Sequence, residues 1–209
     1  MSLIFLSGPH GSGKTTLLNR ILAEIPDTIS PELKTTTSKF DVDPKDRRIL
    51  KICQRILENF EYLQIAERNP EKIVLGNRCI YDNDAYTLAY HARGWITQEE
   101  LERYERMTYD LYLPQLQEPL AIVLNPPFPV VKAHLEKRWQ EKGKKWREND
   151  LEYLAAACDA YTPFKDKPNV HYINHEIDLS GGKDVQEIAE WFQNLKTTTE
   201  MHTEVAYQS

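Results

Sequence analysis

Apolar residues in this chain fall into two kinds of segment that alternate along it. Short apolar runs sit at residues 2–7, 72–75, 120–124 and 170–173, each bounded by glycine, proline, asparagine or charge. Runs of that length read as buried strands. Between them, apolar residues recur every third or fourth position, the spacing of one helix face. Leu17, Leu18, Ile21 and Leu22 predict a helix over residues 15–25, stopped by Pro26. A longer helix begins at Asp43-Pro44, an N-cap followed by proline at the first helical position. It carries Ile49, Ile52, Cys53, Ile56, Leu57, Phe60 and Leu63, and Asn69-Pro70 ends it. Thr97 and Glu100 form a capping box ahead of Leu101, Tyr104, Thr108 and Leu111. Residues 130–142 predict a helix broken at Gly143. Asn149 with Glu152 suggests another capping box before Leu151, Leu154, Ala155 and Cys158, and residues 185–195 form the last helix. Residues 27–42, rich in Thr, Ser and Lys, predict no definite element.

Short apolar strands alternating with amphipathic helices imply a parallel sheet covered on both faces. With 209 residues, 41% of them hydrophobic and 28% charged, the chain suits one soluble α/β domain. It shows no internal repeat and no linker. We expect the domain to span residues 1–196 and residues 197–209 to form a polar, frayed tail. The net charge of −6 argues against a broad duplex-binding surface. The three cysteines, Cys53, Cys79 and Cys158, are widely spaced and suggest neither a disulfide framework nor a zinc site. The apolar start is too short for a signal segment or a membrane span, so a cytoplasmic protein is expected.

The chemistry is concentrated just after the first strand. Gly8-Pro9-His10-Gly11-Ser12-Gly13-Lys14-Thr15 satisfies G-x-x-x-x-G-K-[ST], with Thr16 following it into the helix. The glycines let the backbone bend so that successive N–H groups point at phosphate oxygens. The helix that starts there adds the positive end of its dipole. Lys14 brings a cation to the β- and γ-phosphates, and the Thr15 hydroxyl can ligate magnesium. ATP with Mg2+ is the expected ligand of this P-loop. The loop names no reaction by itself. The Asn-Lys-x-Asp motif of GTPases is missing. AAA-type motors are normally larger and end an apolar strand in Asp-Glu, which neither Leu75-Gly76-Asn77 nor Leu124-Asn125 supplies.

Asn77-Arg78-Cys79-Ile80-Tyr81-Asp82-Asn83-Asp84-Ala85-Tyr86 resembles a stretch of the thymidylate kinase and deoxynucleoside kinase families. In those families a strand ends in Asp-Arg-Tyr or Glu-Arg-Ser, and in thymidylate kinases Ala-Tyr follows. Arg78, Ala85 and Tyr86 match, whereas Asn77 stands where the family has an acid. The resemblance implies a three-layer P-loop NTPase fold with a mostly parallel five-stranded sheet and a helical lid. It implies phosphoryl transfer from ATP to a nucleoside or nucleoside monophosphate, with Arg78 binding acceptor or phosphate. Asp82 or Asp84 then replaces the missing acid, Asp82 being the expected metal holder beside Thr15.

The basic cluster Arg138, Lys142, Lys144, Lys145 and Arg147 around Gly143 matches the lid of these kinases, placed at about residues 132–150. An ordinary solvated loop has the same composition. Glu32 is similar in position to the acceptor base of deoxynucleoside and nicotinamide riboside kinases, with Asp41 and Asp43 as rivals. His10 reads as a variable position of the P-loop, and the tryptophans Trp95, Trp139, Trp146 and Trp191 read as packing residues. Two other acceptors stay open: nicotinamide riboside and, less favoured, a nucleic-acid 5′ end. So does an ATP-binding switch that hydrolyses slowly, and the kinase reading also leaves room for a homodimer.

Overall fold

The computed structural model describes residues 2–33, 43–143, 150–178 and 182–206. Five strands form one sheet: β1 (Ser2–Ser7), β2 (Thr28–Ile29), β3 (Ile73–Asn77), β4 (Leu120–Leu124) and β5 (Val170–Ile173). Their order is β2-β3-β1-β4-β5 and every neighbouring pair is parallel. The strand at residues 28–29 fell in the segment where the apolar pattern is silent. Two residues are too few to show a period.

Side chains on successive strand residues point to opposite faces, which sorts the core into two layers. Ile4 and Leu6 of β1, Ile73 and Leu75 of β3, and Ile122 and Leu124 of β4 share one face. They pack against Leu17 and Ile21 of α1 (Lys14–Glu24) and Ile188 and Phe192 of α8 (Lys183–Ala206). Phe5, Val74, Ala121 and Val123 face the other way, toward α2 (Pro44–Arg68) and α3 (Ile80–Ala92). This is the three-layer α/β arrangement of P-loop kinases. A second, more aromatic core joins α3 to α4 (Gln98–Leu111), α6 (Phe128–Lys142) and α7 (Leu151–Tyr161). Trp95 packs there against Tyr90 and Tyr153, and Trp191 packs against His171 and Phe192.

The caps explain several boundaries. The Asp43 carboxylate accepts from Lys45 N at 2.8 Å, and Thr97 and Glu100 form the expected reciprocal box. The start of α7 differs from expectation: Asp150 accepts from Tyr153 N at 2.9 Å, and Glu152 instead pairs with Arg93. Asn149, Asp41, Lys144, Lys145, Trp146 and Arg147 lie outside the described residues. Helix α8 runs through Thr197 to Ala206, so the polar tail is helical over most of its length.

Two helices escaped the apolar pattern. One is the single-turn α5 (Pro114–Gln117). The other, α3, lies between the sheet and α7, α2 and α4, and is buried on nearly every side. Its buried set includes Asp82, Asn83 and Thr87 as well as Ile80, Tyr81 and Tyr86. A helix without a solvent face shows no amphipathic stripe.

Candidate active site

The phosphate loop takes its shape from glycines in conformations that side chains avoid. Gly8, Gly11 and Gly13 have φ of 140°, 78° and 98°. A Cβ on Gly8 would lie 2.1 Å from the Leu124 carbonyl oxygen, so the loop rests directly on the end of β4. Helix α1 then opens at Gly13 with no side-chain cap and no acid in its first turn. Its first N–H groups therefore lack a side-chain acceptor among the described residues, the arrangement that favours a bound anion.

Lys14 folds back over the loop, donating to the carbonyl oxygens of Gly8 (2.9 Å) and Pro9 (2.7 Å) and to Ser12 Oγ (3.1 Å). Burial pushes its pKa well below the usual lysine range, and the positive charges of Arg78, Arg55 and Arg138 push it further down. Asp82 opposes them without restoring the balance. A poorly solvated cation among cations is stabilised by a polyanion arriving between them.

The loop forms one wall of a cleft of about 1190 Å³. His10, Gly11, Ser12, Gly13, Lys14, Thr15 and Thr16 line that wall, with Thr15 and Thr16 exposed. Glu32 and Arg78 line the same cleft, and from α6 come Lys137 and Arg138. Thus residues far apart in sequence, Glu32, Arg78 and Arg138, share one cavity with the P-loop. The segment after β2 is held there by Ser30 Oγ, which donates to the Leu75 carbonyl at 3.0 Å. Glu32 is exposed to the cleft.

Arg78 ends β3 with φ of 70°, an uncommon conformation for a branched-chain-free but bulky residue. The Asn59 amide donates to its carbonyl at 2.9 Å and helps hold it there. Its guanidinium donates to Asp82 Oδ1 and to the Gly8 carbonyl at 3.2 Å, and its Cζ sits 4.9 Å from the centre of the Tyr86 ring.

Asp82, expected as a metal holder, is placed differently. It is 1% exposed and does not line the cleft. Its Oδ2 accepts from Ser7 Oγ (2.7 Å) and Cys79 N (2.9 Å), and its Oδ1 from Arg78 and Tyr161 Oη (2.6 Å). Four donors leave the carboxylate no free direction for a metal, so its evident work is to aim Arg78. Burial alone would raise its pKa, but Arg78, Arg55 and the hydroxyls of Ser7 and Tyr161 outweigh burial and hold it below the ordinary value. Asp82 therefore contributes stability above about pH 4, lost as pH falls further through its depressed folded pKa. Asp82→Asn should lower the midpoint of thermal unfolding at pH 7 by several degrees, and by less at pH 3. Calorimetry at the two pH values checks this. The other candidate acid, Asp84, faces away from the cleft and accepts from Tyr109 Oη at 2.9 Å.

Several cleft residues had no signal in the sequence, among them Arg55, Glu58 and His134. Arg55 of α2 donates to the Asn77 carbonyl at 2.8 Å and to Glu58 at 2.8 Å, and Gln54 donates to the other Glu58 oxygen at 2.7 Å. His134 of α6 bonds the Gly11 carbonyl oxygen through Nδ1 and reaches Glu176 through Nε2, each at 2.9 Å. Arg55 and Glu58 occupy ordinary polar positions of a long helix, and a lone histidine at residue 134 carries no pattern.

Comparison with known proteins agrees with this geometry. No curated protein matches the sequence. Among solved structures, a deoxyadenosine kinase from M. mycoides with bound dATP superposes with a TM-score of 0.66 at 15% identity, covering 92% of this chain and 99% of that one. A thymidylate kinase from Candida albicans gives 0.59 at 17% identity, covering 96% and 93%. At such identities the likeness is one of fold. A family model described as an AAA domain matches residues 3–119, more than half of the chain. The missing Asp-Glu strand end speaks against an AAA-type motor, yet the matched span holds the P-loop, the segment after β2, α2 and the end of β3, all of which line the cleft. The chain belongs to this AAA-domain family, and its P-loop core has the nucleoside and nucleotide kinase fold.

Proposed function

We propose that the protein transfers the γ-phosphate of ATP to a small acceptor, a nucleoside or nucleoside monophosphate. The carrying observation is the charge of the cleft: a half-buried, poorly solvated lysine and an uncapped helix start, crowded by Arg78, Arg55 and Arg138. In this reading Gly8 to Thr16 and Lys14 hold the triphosphate. Arg78 and Arg138 neutralise charge as the acceptor oxygen bonds to phosphorus and the bond to ADP breaks. Glu32 takes the proton from the acceptor hydroxyl. The exposed Thr15 hydroxyl would hold magnesium, whose charge would offset that of the phosphates. Residues 1–196 acting as one kinase domain, with a lid at about 132–150, belong to the same proposal.

The experiment is ADP release from ATP and magnesium with and without a panel of nucleosides and nucleoside monophosphates. Stimulation by one acceptor is expected. A slow rate indifferent to all of them returns the protein to the ATP-binding switch, which the exposed Asn77 in place of an acid favours. Arg138 tests the lid separately. Arg138→Gln should lower kcat by about tenfold or more while KM for ATP changes less, since its charge matters most as phosphate charge shifts. Equal losses in both constants would make Arg138 a ground-state ATP contact.

A further inference from the structure

On the face of α3 turned away from the P-loop lies a second cavity, of about 500 Å³. It shares no lining residue with the cleft. Leu88, Ala160, Pro163, Phe164 and the Tyr109 ring form its apolar walls, and Glu105, Asp110 and the exposed Arg106 stand beside them. Leu88 and Tyr109 remain 36% and 40% exposed, so the cavity opens to solvent between α3 and α4. Its volume lies in the range of small-molecule sites.

Asp84 supplies the polar feature. Tyr109 Oη donates to its Oδ2, while Oδ1 is buried with no donor among the described residues. A buried carboxylate oxygen without a donor costs free energy that a ligand can return. The surrounding charges do not supply the missing partner. Glu105 on α4 adds negative charge, and Arg48 on α2 and Lys167 beyond α7 act only at a distance. Burial, with Glu105, pushes the Asp84 carboxyl up to about 6 against the hydrogen bond from Tyr109. Glu105 and Asp110 against the single cation Arg106 leave the mouth net negative, which disfavours anions. A bare metal ion is disfavoured too, since the walls are mostly carbon.

We propose that this cavity is a ligand site for a small organic cation, a protonated amine on an aromatic or branched apolar body. The ammonium would donate to Asp84 Oδ1, and the body would pack between Leu88, Pro163 and Phe164. Such a ligand binds the ionised carboxylate, so affinity falls as pH drops through about 6. The site is independent of the proposed phosphoryl transfer.

The test titrates the full chain with 2-phenylethylamine and with 2-phenylethanol, its uncharged counterpart, followed by ligand-observed NMR. The amine should bind about ten- to a hundredfold more tightly than the alcohol at pH 7.5. Its affinity should fall roughly tenfold at pH 5, where little of Asp84 is ionised. Asp84→Asn should remove the amine's advantage and leave the alcohol unchanged. Leu88→Arg, at a half-exposed position on the rim, should abolish amine binding by crowding the mouth with like charge, and it carries the test if Asp84→Asn fails to fold. The proposal is overturned if neither compound binds, if amine and alcohol bind alike, or if Asp84→Asn leaves amine affinity intact. It is equally overturned if these variants change the oligomeric mass instead, because the face then contacts a second copy of the chain.

Discussion

Lys14→Ala should lower kcat for phosphoryl transfer by at least 10²- to 10³-fold, the scale of losing one group that stabilises transition-state charge. The fold should survive intact. Lys14 is desolvated and surrounded by Arg78, Arg55 and Arg138, so removing its charge relieves repulsion. The thermal midpoint of the free protein should therefore stay level or rise. What should disappear is the stabilisation that ATP and magnesium confer on the wild type, which grows with ligand concentration over Kd. Its three present partners, the Gly8 and Pro9 carbonyls and Ser12, are groups that water can satisfy in the variant. A thermal scan with and without nucleotide, beside a turnover assay, checks both halves. Normal turnover in Lys14→Ala would sink the nucleotide-kinase reading entirely.

Glu32→Gln should lower kcat by about 10²- to 10⁴-fold, the range for losing a general base. ATP binding alone should hardly change, because Glu32, though it lines the same cleft, makes no hydrogen bond or ion pair with a P-loop residue among the described residues. The control is Glu58→Gln. Glu58 shares the cleft, but both its oxygens accept from Gln54 and Arg55. It holds Arg55 against the end of β3, so its loss should act on stability and on affinity for anions more than on proton removal. A Glu58 variant that loses kcat with unchanged KM, beside an active Glu32→Gln, would move the base to Glu58.

Much of the site could be read from the chain because its parts are local. The P-loop is eight consecutive residues, and the bend, the helix start and the lysine all follow from their order. The strand runs were visible because a parallel sheet covered on both faces needs continuous apolar segments. The caps at Asp43, Thr97 and Glu100 close within three residues. Glu32, Arg78 and Arg138 were candidates from resemblance alone, and only folding put them in one cleft.

The rest was decided by which elements became neighbours. The order β2-β3-β1-β4-β5 sets the end of β3 beside the P-loop strand and brings α2 against it, which makes Arg55 and Glu58 cleft residues. Asp82 and Asp84 are two residues apart on α3 and looked interchangeable. Two residues on a helix span about 200°, so one is buried under Ser7 and Tyr161 while the other faces α4. Their sequence context is the same, and only the packing of α3 between the sheet and its covering helices separates a carboxylate that aims Arg78 from one that lines a different cavity. Local order determines the shape of a phosphate loop because its hydrogen bonds close within a few residues. The role of a lone charged side chain depends on burial and partners that arrive from strands and helices far along the chain.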